Sequence, residues 1–389
     1  MRFLWVPEIT GTRAYLQKHP DLGRHVVASI STDMVGANQT TNHNSLHLNQ
    51  TMYSIPSVIN DVSRQFFEYV GETNREKLHN RRNGYAFQNP MIDPSGSRDP
   101  FWFNIEKFYG ASDHQVHLDW DPRIPAVQFG NWPDAVYHSS DDSPANQDPT
   151  QMKRAAFLMI AVGSVFANAG PADAVAVAGV AVSYAQKRMA SDLQDALSLI
   201  AAATATTIHD DYKEAQNLIR QAYLREWNEF RSATSLAMGD KTAIADIYAY
   251  GDPLHEIQHQ QHAMVLLAYK AAAARLKVTP VDPPVPTGAE TTASKLFPKR
   301  KAGTPAQPQG GPPTAPVQTA VGGQGAANAP QPALIGYYAM EARNFADGER
   351  SLLDIRNALA AEFGPVALED VTRFFRDLEK SGAYTIAQR

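Results

Sequence analysis

The chain has no cysteine in its 389 residues. That excludes disulfides, thiolate zinc sites and a cysteine nucleophile, so any metal has to be held by His, Asp and Glu. It does not fix the compartment, because a disulfide-free protein works on either side of a membrane. Long apolar runs are missing too. None reaches the ~20 residues that span a bilayer, and the Ala/Val-rich run at 172–182 reads as a buried helix. No basic segment followed by an apolar one marks a secretory leader, so a cytoplasmic location with no membrane partner is expected. A strong charge of one sign is also absent. The net charge of −5 argues against nucleic acid as a partner.

What is present suffices for a real core, with 43% hydrophobic residues and a length that allows about two or three domains. The stretch from Gly110 to Asp142 is the most informative. It holds Ser112-Asp113-His114, an apolar run at 124–129 bounded by Pro125 and Gly130, and Tyr137-His138-Ser139-Ser140-Asp141. The run has the length of a buried strand, with polar, titratable loops at both ends. Such loops can be solvated turns or a ligand site; in open α/β sheets, ligands bind beyond the carboxyl ends of strands.

Strands alternate with helices through the first part of the chain. Strands are expected at 2–6, 25–31, 45–49 and 124–129, and helices at 12–19, 55–79 and 148–168. Val58, Val62, Phe66 and Val70 share one face of the long helix. Residues 80–104 read as a long polar loop. This order predicts an α/β fold with a mostly parallel, helix-covered sheet. Glu8 then lies just past the first strand, Asp33 past the second and His138 past the last. Taken singly, Glu8 reads as a helix-dipole carboxylate and Asp33 as an Asx turn. On one rim they would form an oxygen- and nitrogen-rich set suited to zinc. A strand opening at residue 2 is abrupt, and leads us to expect either a fragment or a start placed within a longer reading frame.

Pro7-Glu8-Ile9-Thr10-Gly11-Thr12, Ser31-Thr32-Asp33-Met34-Val35-Gly36, Ser112-Asp113-His114 and Tyr137-His138-Ser139-Ser140-Asp141 occur in an order that resembles the M28 zinc aminopeptidases. The resemblance covers residues 1–168, which would form a peptidase-like α/β domain. It implies a two-zinc site in which a metal-activated water cleaves the peptide bond next to a free N-terminus. It implies Asp33 as a ligand of one zinc, His138 as a ligand of the other, and Glu8 as ligand or general base. Asp113 is implied as a near-site catalytic residue, and His114 and Tyr137 as substrate-binding residues. Such enzymes have two consecutive Glu where this chain has Pro7-Glu8, and draw a further His and a bridging Asp from upstream of residue 2. With three ligands assigned, this chain is expected to hold one zinc or none. A non-catalytic peptide-binding protein of the same descent is the alternative.

His255-Glu256-Ile257-Gln258-His259 matches the short zincin pattern, in which two His four apart on a helix bind zinc beside a general-base Glu. It lies in an Ala-rich helical region, 169–277, with no strand to form a zincin cleft, and a polar helix face with solvated His residues accounts for it better. Ile219, Tyr223, Trp227 and Phe230 in that region read as helix packing. Residues 278–333 are rich in Pro, Gly and Ala and read as a disordered linker, with Lys299-Arg300-Lys301 a solvated patch. Residues 334–389 read as helix, turn, helix, short strand. That order resembles a small PqqD-like winged-helix module, which implies a protein or peptide partner.

Overall fold

The computed structural model describes residues 1–75, 91–110, 112–119, 121–301 and 334–389. Two compact units make up the chain: Met1–Ala181 with Glu229–Ile247, and Val182–Asn228 with Tyr248–Arg389.

The first unit is built on four strands, β1 Ser29–Thr32, β2 Ser45–Asn49, β3 Phe103–Glu106 and β4 Ala126–Trp132, in the order β1-β4-β2-β3. β1 runs parallel to β4 and β2 parallel to β3, but the central pair, β2 with β4, is antiparallel. The sheet is therefore mixed, which corrects the mostly parallel reading. Alternation within a strand shows which residues share a face and is silent about strand direction.

That alternation divides the sheet into an apolar and a polar side. Ile30, Leu46, Leu48, Phe103, Ile105, Val127 and Phe129 form one core with Ile59, Val62, Phe67 and Val70 of α3 (Ile59–Arg75) and Leu158 and Val162 of α5 (Pro149–Asn168). The Phe67 ring stands edge-on to Phe129 at 5.0 Å. α3 appears where the four-residue apolar spacing placed a helix, and residues 76–79 of that expectation lie outside the described residues. α5 begins where Asp148 accepts the Thr150 N–H and Pro149 occupies the first turn, a favourable start for both residue types. The other face carries Ser31, Gln128, Ser45, His47, Asn49, Asn104 and Glu106, in register from strand to strand.

Residues 2–6 are not a strand. They run extended with no ladder partner, Phe3 74% and Trp5 93% exposed, because strand propensity acts only where a neighbouring strand is available to pair. Glu8 therefore precedes the helix α1 (Thr10–Lys18) rather than ending a strand. Likewise residues 25–28 are outside β1.

In the second unit, helices follow one another as the composition indicates, through α6 (Pro171–Ala202), α7 (Ile208–Arg231), α8 (Lys241–Ala249) and α9 (Gly251–Leu276), with α6, α7 and α8 each beginning or ending in the first unit. The linker reading is corrected at 288–300. A capping box between Thr287 and Glu290 starts α10 (Gly288–Ala293), and β5 (Leu296–Arg300) pairs antiparallel with β6 (Tyr384–Gln388). A strand whose partner lies more than eighty residues on leaves little local signal. Residues 302–333 of the expected linker lie outside the described residues. Ahead of β6 come α11 (Gly336–Phe345), α12 (Leu352–Phe363) and α13 (Leu368–Lys380), the last two and β6 in the order read from the sequence. Among the described residues no helix is long and apolar enough to cross a membrane.

Candidate functional site

Three carboxylates from three separate segments meet at the rim of the polar face. Asp33 follows β1, its N–H donating to the Phe129 carbonyl at 3.1 Å. Gly130, one residue on, is where the chain has no room for a side chain, since a Cβ there would lie 2.8 Å from the Asp33 carbonyl. Asp113 stands at the start of the short helix α4 (His114–His117) and makes no capping bond there. It accepts the Ile9 N–H at 2.6 Å instead. Ile9 has φ 55° and ψ −56°, and the Thr10 N–H turns back to the Glu8 carbonyl, the geometry of a strained γ-turn. Asp113 thus clamps the turn that carries Glu8.

The Glu8 carboxyl is hydrogen-bonded to Asp33 and to Ser112. Partial burial, the charges of Asp33 and Asp113, and the Asp33 hydrogen bond together raise its pKa, against a smaller lowering by Ser112. Two carboxyl groups in hydrogen-bond contact must share a proton. Glu8 therefore holds its proton more tightly than a free glutamate does, with Asp33 and Asp113 as the neighbouring charges.

The remaining expected residues are elsewhere. His138 has φ 55° and stacks on Tyr137 with centroids 3.7 Å apart; Tyr137 in turn meets Trp132 edge-on at 5.5 Å. Both are exposed. β4 continues three residues past Phe129, the last partner of Thr32, which carries the loop with His138 about 10 Å along the strand. Among the described residues no group of three or more His, Asp or Glu side chains is disposed to hold a metal ion. The carboxylates that come together are Glu8, Asp33 and Asp113.

His114 is also corrected. It is fully buried, so it does not face a substrate. Its Nε2 lies 2.7 Å from the Tyr109 carbonyl and 3.0 Å from Asn49 Nδ2, and its Nδ1 has no partner. Donation to Tyr109 requires the proton on Nε2. Burial pushes the pKa down to about 4, so the ring is neutral in the folded chain. The sign follows: above the ordinary imidazole value near 6.5, folded and unfolded chains bind the same proton count, and below it the unfolded chain gains one first. Stability present at pH 7 should fall by on the order of 3 kcal/mol between pH 6.5 and 4 from this group. Denaturant unfolding across that interval should show a shallower slope for His114→Gln; an equal slope would remove His114 from the account.

The zincin-like residues His255, Glu256 and His259 are exposed on α9, the two rings edge-on with centroids 4.4 Å apart. His262 is bonded to Gln216. This is a polar helix face.

Ser112 carried no role in the sequence motifs that contain it, and Ser45, His47 and Glu106 carried none either. The signal for the latter was Ser45-x-His47-x-Asn49, polar residues at alternate positions of a strand, which mark a polar sheet face. No family model, no curated protein and no solved structure matches this chain.

Proposed function

We propose that the chain is a peptide hydrolase acting next to a free N-terminus, with Glu8, Asp33 and Asp113 as its working residues. The observation that supports this is the meeting of Glu8 with Asp33 and Asp113, residues that the motif order singled out and that are otherwise remote in sequence. Three clustered carboxylates attract the ammonium group that distinguishes a peptide N-terminus from the rest of the chain. Asp33 takes a proton from an attacking water, and Glu8, whose pKa is raised, gives one to the departing amine, the division of labour open to a pair of neighbouring carboxyls. Asp113 positions Glu8 through the Ile9 N–H.

The resemblance implies two zinc ions, and the donor set does not fit them. It lacks imidazole, which two-zinc peptidase centres use, and no metal-holding group forms among the described residues. No step is therefore drawn through zinc. That same mismatch favours a second reading, a non-catalytic peptide-binding protein, to which a peptide partner of the C-terminal helix-turn-helix and its β5–β6 pair would belong.

Aminoacyl p-nitroanilides and their N-acetylated counterparts, assayed with the full chain before and after zinc addition, separate these readings. Cleavage confined to the unblocked substrates is expected. Calorimetric binding of unblocked peptide without cleavage would establish the second reading, and neither binding nor cleavage would sink both.

A further inference from the structure

A second constellation lies on the polar face of the sheet, on β2 and β3. Ser45 and His47 are alternate residues of β2, and Glu106 belongs to the neighbouring β3. Ser45 Oγ is 3.0 Å from His47 Nε2, and His47 Nδ1 faces Glu106 Oε2 at 3.2 Å. The order is hydroxyl, imidazole, carboxylate, each ring nitrogen facing the group that nucleophilic catalysis requires of it. His47 is buried, and its Nδ1 makes no well-aligned hydrogen bond, the loose arrangement common to catalytic pairs before substrate binds. Asn104 is exposed on β3 and donates from Nδ2 to Ser45 Oγ at 3.1 Å. Trp132, 47% exposed, is the cross-strand partner of Ser45, and Tyr137 packs against it.

We propose that Ser45, His47 and Glu106 form a serine esterase site for neutral aromatic acyl esters. The half-exposed Trp132 beside the hydroxyl supplies an aromatic surface for the acyl group. A neutral substrate follows from the carboxylates that flank this face and repel anions.

Ser45 Oγ adds to the ester carbonyl carbon while His47 Nε2 takes its proton, and the carbonyl π pair moves onto oxygen. Asn104 Nδ2, already next to Oγ, donates to that oxyanion. The pair returns to reform the carbonyl, the C–O bond to the alcohol breaks, and His47 protonates the leaving alkoxide. Water then adds to the acyl carbon with His47 again taking a proton, and acid leaves as that proton returns to Oγ. Glu106 is a positioning residue: it holds the ring tautomer with the proton on Nδ1 and stabilises the imidazolium.

The test uses the full chain, a fluorophosphonate probe and p-nitrophenyl benzoate. Mass spectrometry should place one adduct on Ser45 of the native protein, and p-nitrophenolate release should show a burst of one equivalent. His47→Gln should lower both labelling and turnover by roughly 10²-fold or more. Glu106→Gln should move the acidic limb of the pH profile downward, and Glu106→Asp should restore part of the rate, which a purely structural role would not do. Absence of an adduct on Ser45 in the native chain overturns the proposal whatever the variants do. So does labelling that persists undiminished in His47→Gln. The peptide readings are untouched by either result, because their assays use neither the probe nor the ester.

Discussion

Glu8→Gln should lower the turnover of an unblocked aminoacyl p-nitroanilide by roughly 10²–10⁴-fold, the range that loss of a positioned acid–base group covers. Gln keeps the size and the polar contacts of the side chain but cannot carry the proton held between Glu8 and Asp33. The same substitution should leave stability at neutral pH intact or improved. Glu8 has its pKa raised in the folded chain, so its contribution is favourable below the ordinary carboxylate range and is lost as pH rises through the raised value. Gln removes the carboxyl whose ionisation burial and the neighbouring Asp33 and Asp113 disfavour. The unfolding midpoint of Glu8→Gln relative to the parent should therefore increase from pH 4 to pH 7. Full activity in Glu8→Gln would remove this residue from the chemistry. Lost activity with a lowered midpoint at pH 7 would mean that the rim had simply come apart.

The second large effect belongs to the helical unit. Glu226 on α7 has no exposed side-chain surface and is held by two arginines. Arg188 Nε donates to its Oε1 at 2.9 Å and Arg188 Nη2 to its Oε2 at 2.6 Å, while Arg225 Nε donates to Oε1 at 2.7 Å. Arg225 reaches on to Asp192 of α6 at 2.6 Å. Burial alone would raise the Glu226 pKa, but Arg188 and Arg225 hold it below the ordinary carboxylate range. Glu226→Ala takes away the carboxylate that two nearly buried cations share, and should cost about 3–5 kcal/mol in urea unfolding. Replacing the whole group with well-packed apolar residues should cost far less, since the desolvation of all charges is then avoided together. A loss under about 1 kcal/mol for Glu226→Ala would show that water reaches the group and that it behaves as a surface ion pair.

Much of the local architecture was legible in residues alone. The four-residue spacing of Val58, Val62, Phe66 and Val70 gave α3, and Asp148-Pro149 gave the start of α5, because caps and helical periodicity act within one or two turns. Glu8, Asp33 and Asp113 were singled out as titratable residues at segment ends, and they do meet. His138 was grouped with them on the assumption that the loop after β4 begins where β1 stops, and the three further residues of β4 defeat it. His114 read as a substrate-binding residue because a histidine beside an aspartate looks the same whether the ring faces solvent or the core.

By itself the sequence determined where the long helices lie and which chemical groups are available for a site. Only the tertiary structure decided the strand order β1-β4-β2-β3, the antiparallel middle pair, the partner of β5, and which polar side chains come within bonding distance. The physical reason is one of range. Caps and periodicity are written in neighbouring residues, whereas strand pairing and the convergence of Glu8, Asp33 and Asp113 depend on packing between segments that the chain order leaves far apart.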